Sequence, residues 1–135
     1  MQYEAKGRKI IIFLSSLVAI MALASAAEVQ GQTLQRSPTQ RQTLLQLAYA
    51  LGETHALHRL CTSPGDGLWY GRMQQLEAQE RADEAFRRRL IESFNAGFIS
   101  RQGQFASCSA QSKSAEQAAA GRGAALAAQL GRGGD

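Results

Sequence analysis

One stretch limits the possible folds more than any other: Ser37 to Cys61, SPTQRQTLLQLAYALGETHALHRLC. Ser37 followed by Gln40 has the form of a capping box. The serine hydroxyl accepts from the Gln40 backbone N–H, and the Gln40 side chain answers to the N–H of Ser37. Pro38 at the first helical position gives up only a donor that the first turn leaves orphaned. Leu44, Leu47, Ala48, Leu51, His55 and His58 then recur at three- and four-residue steps. Leu45, Tyr49, Ala56 and Leu60 follow about 100° round the helix. A helix apolar over that much of its circumference needs neighbours on two sides, which places it in the middle of an all-α domain of three to four helices. Gly52 interrupts it at a cost of about 1 kcal/mol relative to alanine. Close approach by another helix is the usual compensation, and Gly97, a glycine inside a later helical pattern, is the expected partner.

Beyond Cys61, Thr62 to Gly67 is a strong turn signal, with Asp66 placed to cap the next helix. Trp69, Met73 and Leu76 share a face of that helix, which ends near Ala78 to Glu80 and is weakened at its start by Gly71. Trp69 with Tyr70 reads first as core and second as a ligand or partner surface. A third helix runs from about Asp83 to Arg101, with Phe86, Leu90, Phe94, Gly97 and Phe98 as its buried stripe and Ile91 on the flank. Arg87, Arg88 and Arg89 point in three directions, so they form no single basic patch. Arg88 and Arg89 read as solvated. Arg87 and Arg101 fall on or beside the apolar face with their stems along the core, and the competing reading makes them an anion site for phosphate or carboxylate. Gly103 to Ser109 is a loop carrying Cys108. From Ala110 to Leu130 the chain is alanine-rich, with Ala119, Leu126 and Leu130 as the larger contacts and Gly121 and Gly123 as weak points. A thin helix is expected there, packed loosely and fraying before Gly131, with small side chains that offer a partner helix a close surface.

Residues 1–26 read as a cleaved secretory signal peptide. Lys6, Arg8 and Lys9 form its positive start, Ile10 to Leu23 its apolar run, and Ala24-Ser25-Ala26 its cleavage site. An uncleaved anchor is the rival, but the apolar run is at the lower edge of a spanning helix and no positive stop-transfer cluster follows. The chain is thus expected in the periplasm, with no stable membrane insertion after cleavage. Residues 27–36 read as a flexible lead-in, 37–130 as the helical domain and 131–135 as a disordered tail. Cleavage removes three of fifteen basic and one of eleven acidic residues, leaving a net charge of +2. That balance does not suit nucleic-acid binding.

LAYALGETHALHRLC (Leu47–Cys61), WYGRM (Trp69–Met73), DEAFRRRLIESFNAGF (Asp83–Phe98) and FASCS (Phe105–Ser109) together resemble a family of small exported bacterial proteins of unknown function. That family carries two well-separated cysteines, one of them closing an L-A-Y-x-L-G…H…L-C motif. The resemblance spans Leu44 to Leu130 and implies an exported location, with no known activity, cofactor or catalytic residue. It also implies arginine as the usual residue where His58 stands.

Two cysteines at helix–loop junctions of an exported chain read as one disulfide, Cys61–Cys108. A redox-active pair is disfavoured because the cysteines are not in a C-x-x-C arrangement, and thiol ligation of a metal is the other alternative. His55, His58 and Cys61 stand three apart in turn, so two imidazoles and a thiolate share a helix surface with spacing suited to zinc or copper. An oxidised Cys61 donates nothing, and His55 in mid-stripe reads first as a half-buried histidine hydrogen-bonded to Tyr49 or a residue of the third helix, with metal binding second. Glu53, Glu77 and Glu92 fit solvated helix faces. No nucleophile motif, glycine-rich phosphate loop or juxtaposed carboxylate pair appears, so no cofactor and no enzymatic role is assigned. The first expectation is a non-enzymatic module that binds another envelope protein. The second is a small-ligand or metal carrier using His55, His58 and the flanking arginines, and the third, a cell-wall hydrolase, rests on compartment alone.

Overall fold

The computed structural model describes residues 35–133, so the expected signal peptide, most of the lead-in and the last two residues lie outside the described residues. Four helices follow in order: α1 Pro38–His58, α2 Leu68–Glu80, α3 Glu84–Arg101 and α4 Ala110–Gly131. Among the described residues the fold is all-α, and no helix among them is long and apolar enough to cross a membrane.

The capping box opens α1: the Gln40 N–H donates to Ser37 Oγ at 3.2 Å and the Ser37 N–H to Gln40 Oε1 at 3.0 Å. Leu44, Ala48 and Leu57 of this helix are fully buried. It is the axis of the domain, since α2, α3 and α4 all pack on it. Its Leu44, Leu47 and Leu51 share one core with Met73 and Leu76 of α2, Phe86, Leu90 and Phe94 of α3, and Leu130 of α4.

The α1–α3 crossing is made at the two glycines. A Cβ at Gly52 would overlap the Phe94 carbonyl and lie 2.9 Å from the Phe98 nitrogen. One at Gly97 would overlap the Tyr49 carbonyl and lie 3.1 Å from the Glu53 nitrogen. Each glycine therefore admits the other helix's backbone, and the helical propensity it forfeits is returned as packing. The Ser93 hydroxyl donates across the same seam to the Leu45 carbonyl at 2.6 Å.

The fourth helix is seated more firmly than its composition suggests. Ala119 is fully buried, and Ser112, Gly123 and Leu130 are buried with it. Small side chains bring α4 close to α1 instead of loosening it. A second capping box, in which Ser109 Oγ accepts from the Ser112 N–H at 3.1 Å, starts the helix. It runs through Gly131 and is closed by the Arg132 N–H on the Ala128 carbonyl at 3.2 Å. The expected fraying before Gly131 is thus corrected.

The Cys61–Cys108 disulfide joins the end of α1 to the residue before the α4 cap, with Cα atoms 4.8 Å apart across a sequence separation of 47. In the chain-entropy account such a crosslink contributes about 4 kcal/mol. At the other end, Arg36 donates from Nε and Nη2 to the two oxygens of buried Glu80, each at 2.8 Å, which ties the residue ahead of the α1 cap to the end of α2. Asp83 caps α3 by accepting from the Phe86 N–H at 2.8 Å.

Candidate functional site

Although α3 and α4 both lie on α1, they do not meet: no Cα of one comes within 8 Å of a Cα of the other. The gap is a groove of about 760 Å³. Leu45, Tyr49 and Ala50 of α1 form its floor, Ser93 of α3 lines one wall, and Ala125 and Leu126 of α4 line the other.

An ionic cluster occupies one end. Glu53, on the floor, is 6% exposed. Its Oε1 accepts from Arg101 Nε of α3 at 2.8 Å, and its Oε2 from Arg122 Nη2 of α4 at 2.6 Å. This overturns the expectation that Glu53 lies on a solvated face. The cause is its neighbour: Gly52 draws α3 against α1, and the next side chain is enclosed between α3 and α4. A lone carboxylate there would be costly, and two guanidinium groups offset the desolvation. They also bind α4 to α3 through Glu53, where the backbones leave a gap. With two positive charges and one negative, the cluster carries a net charge of +1.

Of the residues weighed as an anion site, Arg101 reaches this cluster and Arg87 does not. Arg87 is exposed, against the expectation that its stem lies along the core. The two stand fourteen positions apart, about 21 Å along α3. Arg88 pairs with Glu84 at 2.8 Å, one turn away on the same exposed face. Glu92 is exposed as read, whereas Glu77 is half-buried.

The two histidines part company. His58 is held on both sides, Nδ1 by Glu116 of α4 at 2.6 Å and Nε2 by Asp66 of the α1–α2 turn at 3.2 Å. Burial works against its charge, but the two carboxylates outweigh burial and hold the imidazole pKa above its ordinary value. The Leu68 N–H, and after it His58, hold the Asp66 carboxyl below the usual carboxylate range. His55 instead stacks among Phe98, Phe94 and Tyr70, with ring centroids 5.6, 5.9 and 6.4 Å away. Burial, then the charge of Arg59 and of His58, push its pKa down. Its buried Nδ1 has no hydrogen-bond partner, so the expected bond to Tyr49 or to α3 is absent.

A metal on His58 would have to displace a carboxylate from one of the two ring nitrogens, and Cys61 is spent in the disulfide. Among the described residues no group of three or more histidine, cysteine, aspartate or glutamate side chains is arranged to hold a metal ion. The Trp69–Tyr70 pair divides: Trp69 packs against the core, while Tyr70 is half exposed beside Phe94.

The residues that sequence reasoning passed over are Arg122, Glu116 and Glu80, together with the burial of Glu53. Only Glu53 has a local mark, a charge inside an otherwise buried run beside a crossing glycine. Among families of known sequence, one described as a protein of unknown function (DUF2385) has a model that matches residues 38–132. No curated protein and no solved structure matches the chain.

Proposed function

The chain belongs to this family of proteins of unknown function (DUF2385), so its role has to be read from its own geometry, and we propose that it is a non-enzymatic periplasmic binding module that seats a helix of another envelope protein in the groove between α3 and α4. The groove carries the reading. Its floor extends from Gln42 to Glu53, about 16 Å at 1.5 Å per residue, which matches three turns of a partner helix. Tyr49, 37% exposed, and Arg122, with 48% of its side chain exposed, are residue types that anchor interfaces.

Two further features support the assignment. An apolar leader with a positive start and a disulfide both suit export to an oxidising compartment. The buried charges Glu53 and Glu80 each have guanidinium partners that tie elements of the fold together, which is structural work.

The test is site-specific photocrosslinking in cells, with the reactive group at Gln46 on the floor, at Ala125 on the wall, and at Arg89 on an exposed face of α3. The two groove positions should capture the same envelope protein, Arg89 should not, and Leu126→Glu should abolish capture from Gln46. Capture that is equal from all three positions, or that survives Leu126→Glu, removes the reading.

A further inference from the structure

The groove is chemically lopsided. Among the described residues of its lining, Glu53, Arg101 and Arg122 carry charge and all stand at one end, while the others are neutral. Arg101 is largely committed, with Nε on Glu53 and Nη1 on the Gln104 side-chain oxygen at 2.9 Å. Arg122 commits only Nη2 to Glu53, and its other nitrogens have no side-chain partner among the described residues. One guanidinium is enough to neutralise Glu53, so the second presents a surplus positive charge at the end of an apolar trough. Entry of a cation there is disfavoured by repulsion, and a neutral group leaves the fork unmatched. A carboxylate matches it in both charge and planar geometry.

The remainder of the lining says what carries that carboxylate. Gln42 and Gln46 interrupt the apolar surface, and an alkyl chain laid over them would desolvate their amides without replacing the lost hydrogen bonds. A helix with a mixed face can answer them. Leu45, Tyr49 and Glu53 follow one another at steps of four along α1, a row about 12 Å long. A helix lying along the row sets its own side chains at the same rise, in either direction.

We infer that the partner segment is an amphipathic helix with apolar anchors over Leu45 and Tyr49 and an aspartate or glutamate about seven or eight residues from the first anchor, seated on Arg122 beside Glu53. This rests on the groove being the binding site.

The experiment is selection of helix-biased 14-residue peptides from a randomised display library on the purified, oxidised protein. Enriched clones should carry an acidic residue at that spacing from an apolar one. Changing the acid to its amide in the best clone should weaken binding about fivefold to the wild-type protein and leave binding to Arg122→Gln unchanged. Arg122→Lys should keep part of the preference, and it carries the comparison if Arg122→Gln melts early. Winning clones without an acid, or an amide penalty that is the same on Arg122→Gln, overturn the carboxylate assignment while leaving the groove standing. Clones that bind Leu126→Glu undiminished, or a library that yields none, overturn the groove reading and the inference with it.

Discussion

Replacing Gly97 by alanine should destabilise the domain by about 3 kcal/mol, even though alanine is the better helix former by about 1 kcal/mol. The new Cβ would overlap the Tyr49 carbonyl oxygen and lie 2.9 Å from its carbon and 3.1 Å from the Glu53 nitrogen. These are backbone atoms of the central helix, which cannot rotate aside as a side chain would. Carbon contacts settle at about 3.5–4.0 Å, so α1 and α3 must separate by about an ångström or more. A gap of that size forfeits roughly a quarter to a half of the dispersion energy along the seam. It also stretches the Ser93–Leu45 hydrogen bond of 2.6 Å and the Arg101–Glu53 pair of 2.8 Å. Overpacking of about 1–3 kcal/mol and about 1 kcal/mol for each weakened bond exceed the propensity gain. The control is Gly121→Ala, on an exposed part of α4 where a Cβ meets nothing within 4 Å, and it should stabilise by about 0.5–1 kcal/mol. Urea unfolding with the disulfide intact measures both, and in a thermal melt Gly97→Ala should lose about 12–24 °C. A Gly97→Ala midpoint at or above wild type would show that the crossing is not set by backbone contact.

Glu53→Gln leaves two guanidinium groups around a neutral amide and should cost about 2 kcal/mol in urea unfolding, a value reduced for the 26% and 48% side-chain exposure of Arg101 and Arg122. A loss too small to resolve would mean that the cluster does not tie the three helices. Because the folded-state pKa of His58 is raised, its stabilising charge is fully present below the unfolded value of about 6.5 and is lost as pH rises through the folded value. The urea midpoint of wild type relative to His58→Gln should therefore fall on going from about pH 6 to pH 8.5. His55 acts with the opposite sign, since its lowered pKa makes protonation unfavourable in the fold, and the His58→Gln reference retains it. A difference that stays level across that range would refute the two-carboxylate clasp.

Most of the fold is legible because its determinants are local. Ser37, Pro38 and Gln40 mark the start of α1, Asp83 that of α3, and the stripes Leu44–Leu47–Leu51 and Phe86–Leu90–Phe94 declare which faces are buried. Gly52 and Gly97 pair as expected, since a glycine inside a buried helical face has few other physical reasons to be there. The errors arise where burial depends on a neighbour's size instead of a residue's own hydrophobicity. Alanine and glycine in α4 read as weak contacts, yet Ala119 and Gly123 are buried because they let that helix approach closely. Ser109 and Ser112 also form a capping box with serine in place of the usual glutamate or glutamine, a substitution that hides the start of α4.

The site is harder to read, because a groove is defined by elements that fail to touch. No periodicity along α3 or α4 records the distance between them; it follows from both being seated on a third helix. The partners of Glu53 lie 48 and 69 residues away, beyond the reach of any spacing rule, so a carboxylate at that position looks like any solvated glutamate. What can be read is a contradiction. Between Leu44 and Leu57, α1 is buried on nearly every side, and Glu53 falls within that run immediately after a glycine that closes one wall. Such a charge must be answered by cations from outside its own helix. Arg101 alone satisfies its charge and ties α1 to α3. Arg122 adds the tie to α4, and in doing so leaves a positive charge with no second acidic partner among the described residues. Stability accounts for the carboxylate and the first guanidinium, whereas the second has no further side-chain partner among the described residues, and that is why we propose binding at this end of the groove.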